Sequence, residues 1–404
     1  MHNSLNWDKT LNPSLDVIRA LCMERDDPQT RYASIHVVGS NGKTSTTRLI
    51  EALLSGEGVR TGMTTSPALV EERERIQVEG RSLSLEEWED ARTRIGIAAD
   101  RARIENPDLP EPSDFEMVTA MALDAFARHE VDVAVVEAGI GGTWDSTCIL
   151  NPAVTVITSV SLEHTAILGT TIDAIASDKA GAIKPGSTTV LSDGVTDPQA
   201  RRIFESKAKE VGAQLLTDPL EEYDLEIPSH IPSYQVSNIK AAICATEAIL
   251  GRRLCEDTVQ RILADMVFPG RFEVLCVDTE GKPRVIFDGA HNPEAAYNLA
   301  QAIRQARADG RLTDDPVIAL GVFQDKDLDA IISHLKPVAS AFLPLEPPDN
   351  DRGLPRDEVV HRLMALTGVP VIKEWDEVTT LVVTGSLSLY ERAQQITRTL
   401  RNER

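Results

Sequence analysis

The sequence of 404 residues predicts an α/β protein in two parts, a P-loop-type domain on a mostly parallel sheet followed by a smaller Rossmann-like α/β domain. Three observations carry this expectation. Short Val/Ile-rich runs at Ser34–Ser40, Val131–Glu137, Val154–Ser159 and Thr188–Ser192 are each separated by segments of helical length and period, the pattern of strands buried on both faces. The first of these runs passes straight into a Gly-rich turn that opens a helix. From Val285 the alternation restarts on a smaller scale.

In the first part the strands account for the apolar runs, and the connecting helices cover both faces of the sheet. Arg101–Pro112 and Thr217–Ser233 read as polar, Pro-bearing loops. In the second part the expected order is strand Val285–Phe287, helix Ala295–Ala308, strand Val317–Leu320, helix Leu328–Leu335, strand Ala341–Pro344, helix Arg356–Thr367, strand Leu381–Thr384 and helix Ser388–Arg401. The junction is placed near Pro269–Arg271, giving domains 1–270 and 271–404. No internal repeat or low-complexity tract interrupts either part.

Composition narrows the function classes. Lys plus Arg number 41 against 63 Asp plus Glu, a net charge of -22 that repels nucleic acid and anionic membranes. No apolar run reaches membrane-spanning length and no basic, apolar leader opens the chain, so a soluble protein that is not exported is expected, with the cytoplasm as its default place. Cys22, Cys148, Cys244, Cys255 and Cys276 are scattered and odd in number, which suggests neither a disulfide framework nor a zinc site; they are expected to be buried as small apolar residues. Any anionic ligand must be held by a few placed cations.

The Gly-rich turn supplies them. It reads Val37-Val38-Gly39-Ser40-Asn41-Gly42-Lys43-Thr44-Ser45, a shortened G-x-x-G-K-[ST] with Val37 where the longer pattern has its first glycine. Glycines let backbone N–H groups crowd a phosphate, and the helix N-terminus adds partial positive charge. Lys43 can then reach β- and γ-phosphates while Thr44 or Ser45 holds Mg²⁺. The predicted ligand is ATP, on Gly39, Ser40, Asn41, Gly42, Lys43, Thr44 and Ser45.

Further motifs follow in a set order: Thr64-Thr65-Ser66-Pro67, Glu74-Arg75-Ile76, Phe115-Glu116, Glu137-Ala138-Gly139-Ile140-Gly141-Gly142, Glu163-His164-Thr165 and Lys179-Ala180-Gly181. Gln235, Asn238, Gly270-Arg271-Phe272-Glu273, Asp288-Gly289-Ala290-His291-Asn292-Pro293, Asp325-Lys326-Asp327 and Thr384-Gly385-Ser386 complete the series. From about Leu15 onward the chain resembles the folylpolyglutamate synthase/dihydrofolate synthase family of the Mur ligase superfamily.

That resemblance implies an ATP-dependent amide ligase. A carboxylate of a folate or γ-glutamyl chain attacks the ATP γ-phosphate, and the amine of glutamate captures the acyl phosphate. It also implies roles residue by residue. Lys43, Lys179, His164, Arg271 and His291 are the catalytic set; Gln235 and Asn238 lie toward adenine; Arg271 lies toward phosphate and Asp288 toward ribose; Ser66, Glu137 and His164 join Thr44 or Ser45 as metal ligands. The lysine matching Lys179 carries a carbamate in the family, although beside Asp178 it would ordinarily be a surface residue.

The chain also departs from the family pattern. Ala68 follows Ser-Pro where His is usual, Glu72 stands for a usual Phe, and the loop after Glu137 reads Gly141-Gly142-Thr143-Trp144-Asp145-Ser146-Thr147-Cys148 rather than Gly-Gly-Arg-Leu-Asp-Ala-Thr-Asn. Gly-Lys-Thr-Ser is closer to the peptidoglycan Mur enzymes than the folate branch's Gly-Lys-Gly-Ser. The acceptor stays open between a folate and another carboxylate. A scaffold that keeps the fold without turnover is disfavoured by the joint presence of Lys43, Glu137, His164, Lys179, Arg271, Asp288 and His291.

Overall fold

A chain with this many short, doubly buried runs must cover both faces of its sheets, and it does so twice. The computed structural model describes residues 14–217, 223, 225–348, 352–375 and 379–402, so part of the expected 217–233 loop lies outside the described residues. Two compact units result, Met1–Glu226 with Gln235–Ala264, and Ile227–Tyr234 with Asp265–Arg404. Segment 227–234 belongs to the second unit, where Tyr234 packs against the apolar core and its hydroxyl donates to Asp288 at 2.9 Å.

Among the described residues the first unit holds eight strands: β1 Ala33–Val38, β2 Thr61–Thr64, β3 Ile76–Val78, β4 Arg81–Ser82, β5 Val133–Glu137, β6 Val154–Ile157, β7 Thr188–Leu191 and β8 Gln214–Thr217. Their order is β4-β3-β2-β5-β1-β6-β7-β8. All pair in parallel except β3 and β4, which fold back as an antiparallel edge. The apolar runs were legible as strands, whereas β2, β3, β4 and β8 were not. β2 carries Gly62, where a Cβ would lie 2.5 Å from the Phe126 ring, and β8 is an edge strand with no fully buried residue.

Helices Leu85–Glu105 and Asp114–Arg128 cover one face around Trp88, Ile95, Met121 and Phe126. Each begins with a reciprocal capping box, Ser84 with Glu87 and Ser113 with Glu116. The first helix runs through Glu105, so the expected loop at Arg101 starts only at Asn106. On the other face helix Lys43–Gly56 packs against Val236–Leu250.

β1 lies between β5 and β6, and the chain crosses from one side of it to the other. In an open parallel sheet this puts the ligand crevice at the carboxyl end of β1, where the Gly-rich turn emerges.

The second unit has its own sheet: β9 Glu273–Val277, β10 Pro283–Asp288, β11 Val317–Leu320, β12 Ala341–Pro344 and β13 Leu381–Thr384, in the order β12-β11-β13-β10-β9. β11, β12 and β13 fall on the expected residues, and β10 extends the expected Val285–Phe287 at both ends. Only β9 is antiparallel. Its half-exposed valines, Val274 and Val277, hid it from a search for buried runs. Cys255 is exposed, against expectation, while the other four cysteines are buried and none is in a disulfide. Among the described residues no helix is long and apolar enough to cross a membrane.

Candidate active site

The turn after β1 is built for close backbone approach. Gly42 has φ 86, and a Cβ there would sit 2.3 Å from Asn238 Oδ1; at Gly39 a Cβ would sit 1.9 Å from Thr158 Oγ1. No side chain caps the helix that Gly42 opens, so its first N–H groups are directed toward any anion in the turn. The loop is braced by the segment after β6. Ser40 N–H donates to the Ser159 carbonyl at 2.9 Å, Asn41 N–H to Ser159 Oγ at 2.9 Å, and Thr158 Oγ1 to the Asn41 carbonyl at 2.7 Å. Lys43 Nζ donates to the carbonyls of Gly39 at 2.9 Å and Ser40 at 3.2 Å, which keeps its charge over the loop.

Gln235 and Asn238, expected toward adenine, lie against this loop. Gln235 is wholly buried and donates from Nε2 to Ser45 Oγ at 3.1 Å, and Asn238 Nδ2 donates to Gln235 Oε1 at 2.7 Å. Ser45 is therefore engaged with Gln235, and Thr44 is the hydroxyl that meets the strand-end acid. Thr44 Oγ1 donates to Glu137 Oε1 at 2.8 Å, while Ser66 N–H donates to Oε2 at 3.2 Å. Glu137, at the carboxyl end of β5, is only 3% exposed.

His164 heads the short helix Thr165–Leu168 in a left-handed conformation. Beside it Glu163 accepts from Lys179 Nζ at 2.7 Å, with both side chains buried. Burial would raise the Glu163 carboxyl, but the charges of Lys179, Lys43 and His164 hold it down at about 2. Burial lowers the Lys179 ammonium, with Lys43 adding to the effect and Glu163 opposing it. The surface reading of Lys179 is thus overturned: it ends helix Ile172–Lys179 beneath the Gly141-Gly142 turn, where a Cβ on Gly142 would come 2.5 Å from the Lys179 carbonyl oxygen.

In the second unit Asp288 ends β10 with both oxygens occupied by its own unit. Oδ2 accepts from Tyr234 Oη and Phe272 N–H, and Oδ1 from Ala290 N–H, all at 2.9 Å. Burial raises its carboxyl and the Arg271 charge opposes that. Arg271 donates to the Gly270 carbonyl at 3.0 Å, and a Cβ on Gly289 would lie 2.6 Å from its guanidinium. His291 donates from Nδ1–H to the Gly289 carbonyl at 3.0 Å.

Residues 37–191 match the Mur ligase middle domain and residues 270–388 the Mur ligase glutamate ligase domain. The dihydrofolate synthase/folylpolyglutamate synthase of Mycobacterium tuberculosis is 35% identical over 371 residues, 82% of this chain and 74% of that protein. This chain belongs to the folylpolyglutamate synthase/dihydrofolate synthase family. The crystal structure of M. tuberculosis folylpolyglutamate synthase complexed with ADP and AMPPCP has the same fold, with a TM-score of 0.85 at 30% identity over 95% of both chains. The bifunctional folylpolyglutamate synthase/dihydrofolate synthase from Yersinia pestis complexed with AMPPNP and Mn ion gives 0.79 at 25% identity, over 98% of this chain and 95% of that one.

A divalent cation fits the donor set that this member of the family presents. Glu137 and the Thr44 hydroxyl are hard oxygen donors already 2.8 Å apart, and Ser66 adjoins them through its amide. Among the described residues no group of three or more His, Cys, Asp and Glu could hold a metal. A cation here therefore relies on hydroxyls and on the ligand it accompanies, the usual habit of Mg²⁺.

Reading the sequence for family residues missed Thr158 and Ser159, which brace the phosphate loop, and gave Glu163 no role beyond its place in the Glu163-His164-Thr165 motif, although it pairs with Lys179. The Thr158-Ser159-Val160-Ser161 run after a buried strand was the available signal, since hydroxyls gathered there can reach a neighbouring turn.

Proposed function

We propose that this protein is an ATP-dependent ligase that adds L-glutamate to a folate, and to dihydropteroate to form dihydrofolate, releasing ADP and phosphate. The observation that carries the reading is the phosphate loop Gly39–Thr44, joined through Thr44 to the strand-end Glu137, in a chain whose family is named for this reaction. The acceptor carboxylate attacks the γ-phosphorus. The glutamate amine then attacks the acyl phosphate carbon and loses a proton as phosphate departs. Phosphoryl transfer asks a protein for positioning and charge neutralisation more than for covalent work.

On this reading Lys43 stabilises charge on the β- and γ-phosphates, and Gln235 and Asn238 keep the loop in shape. Thr44, Glu137, Ser66 and His164 would hold Mg²⁺, which neutralises phosphate charge when bound. In the second unit Arg271 and His291 are the proposed catalytic groups, and Asp288 holds the backbone beside each of them through Phe272 N–H and Ala290 N–H. Lys179 is proposed as the site of a carbamate in the working enzyme, and forming it would replace the Lys179–Glu163 ion pair seen here. Activity lost in CO₂-depleted buffer and regained with bicarbonate would support the carbamate, while activity unchanged by depletion would exclude a requirement. The working form proposed is a monomer in the cytoplasm.

The deciding experiment is a phosphate-release assay with ATP, Mg²⁺, glutamate and a panel of acceptors. Turnover that needs both glutamate and tetrahydrofolate or dihydropteroate is expected. Turnover confined to a non-folate carboxylate would favour a different amide ligase, and no turnover with any acceptor would overturn the reading. EDTA should abolish the turnover and added Mg²⁺ or Mn²⁺ restore it.

A further inference from the structure

Among the buried titratable side chains that take no part in the proposed ligation, one lies in the strand that feeds the phosphate loop. His36 lies in β1, fully buried and flanked by Ile35, Val37 and Val38, where an aliphatic residue would satisfy the core. Its Nε2 is 2.7 Å from Thr147 Oγ1, which donates to Asp145 Oδ1 at 2.5 Å. A hydroxyl has one proton to give. With Thr147 giving its proton to an ionised Asp145, His36 donates from Nε2, and its buried Nδ1 has no hydrogen-bond partner among the described residues. An unpaired buried nitrogen is costly, and what sets this imidazole apart from an aliphatic core residue is the hydrogen bond of its other nitrogen to Thr147.

The chain of donors ends on the loop that follows Glu137. Asp145, itself 2% exposed, accepts from Ile140 N–H through Oδ2 at 2.8 Å and from Thr147 N–H through Oδ1 at 3.0 Å. Gly139 has no room to shift toward it, since a Cβ there would lie 2.9 Å from Asp145 Oδ2 and 2.6 Å from Phe115. Farther along, Gly142 N–H donates to Asp178 Oδ1 at 2.8 Å and Thr143 Oγ1 to the Asp178 carbonyl at 2.7 Å, one residue before Lys179. One loop thus connects the strand bearing Glu137 to the helix end bearing Lys179, and Asp145 is its inner anchor.

We propose that His36 and Thr147 are positioning residues for the ligation, holding Asp145 so that the 138–145 loop fixes Glu137 and Lys179 in their working places. The proposal rests on the ligase reading above. The pairs Thr147→Val with Thr147→Ser, and His36→Leu with His36→Gln, separate the hydrogen bond from the packing, because Ser keeps the hydroxyl and the Gln amide keeps a donor near Nε2.

Expected for Thr147→Val and His36→Leu is a kcat lower by about tenfold to a hundredfold, the scale of a misplaced catalytic group. KM for ATP should be little changed, and Mn²⁺ titrated in the presence of ADP should bind more weakly. Thr147→Ser and His36→Gln should stay close to wild type in both readouts. Thr147→Val with wild-type kcat and Mn²⁺ affinity would overturn the proposal. So would equal losses in the conservative variants, which would mark a role in packing alone, or a change confined to the acceptor KM, which would mark contact with the acceptor. If the wild type fails to turn over, the ligase reading fails, and the Mn²⁺ titration still decides whether His36 and Thr147 organise Glu137.

Discussion

Lys43 keeps its ammonium on two carbonyls of its own loop, so removing it costs the fold little and the chemistry much. Lys43→Ala is expected to lower ligation by about a hundredfold or more, the effect of losing one preorganised charge-stabilising group. Its urea-unfolding free energy should stay within about 0.5 kcal/mol of wild type. His36 behaves in the opposite way. Burial first, and the Lys184 charge second, lower its pKa from 6.5 to about 3, so the unfolded chain takes up the proton before the folded one does. The stability that depends on neutral His36 is present above the unfolded value and is lost as pH falls from 6.5 toward about 3. Between about pH 7.5 and about pH 5 wild type should lose about 2 kcal/mol relative to His36→Gln in urea titrations. Equal pH profiles for the two proteins would refute this.

At the scale of elements, helix Ile172–Lys179 delivers a cation into the interior only because a loop covers its last turn. Lys179→Met should destabilise by about 3–5 kcal/mol, since it strands the buried Glu163 carboxylate. The double variant Glu163→Gln/Lys179→Met should recover much of that loss, and a double-mutant cycle in urea measures the coupling. Additive single costs would show that the pair is not coupled. The burial of Lys179 was not legible locally, because Asp178-Lys179 at a helix end is the composition of a solvated surface. β5, β6 and β7 were legible because strands buried on both faces are apolar throughout, whereas edge strand β8 shares its character with loops.

At the scale of the molecule, each unit carries its own apolar core, one around Phe126, Leu123 and Ile95 and the other around Ile286, Leu299 and Phe342. Calorimetric unfolding should therefore deliver a total enthalpy larger than the van't Hoff enthalpy of its main transition. Equality of the two would mean that the units unfold as one. The chain enters the second unit twice, and the short passage at 227–234 was invisible to composition because its ties are scattered contacts with distant residues, Tyr234 Oη to Asp288, Ser233 N–H to Gln305 and His230 to the Met266 carbonyl.

Sequence alone determined the alternation of strands and helices, the Gly-rich turn Gly39–Ser45 between strand and helix, and the family, because period, turn residues and motif order are local properties that survive without coordinates. Tertiary structure alone decided which of Thr44 and Ser45 meets Glu137, that Lys179 is buried against Glu163, that Gln235 and Asn238 back the phosphate loop, and that Asp145 is tied to His36. Thr44 and Glu137 are 93 residues apart, and His36 and Thr147 are 111 apart. A periodic pattern specifies which face a side chain presents; which distant side chain it meets there depends on strand order and register, and these are settled only when the whole sheet is assembled.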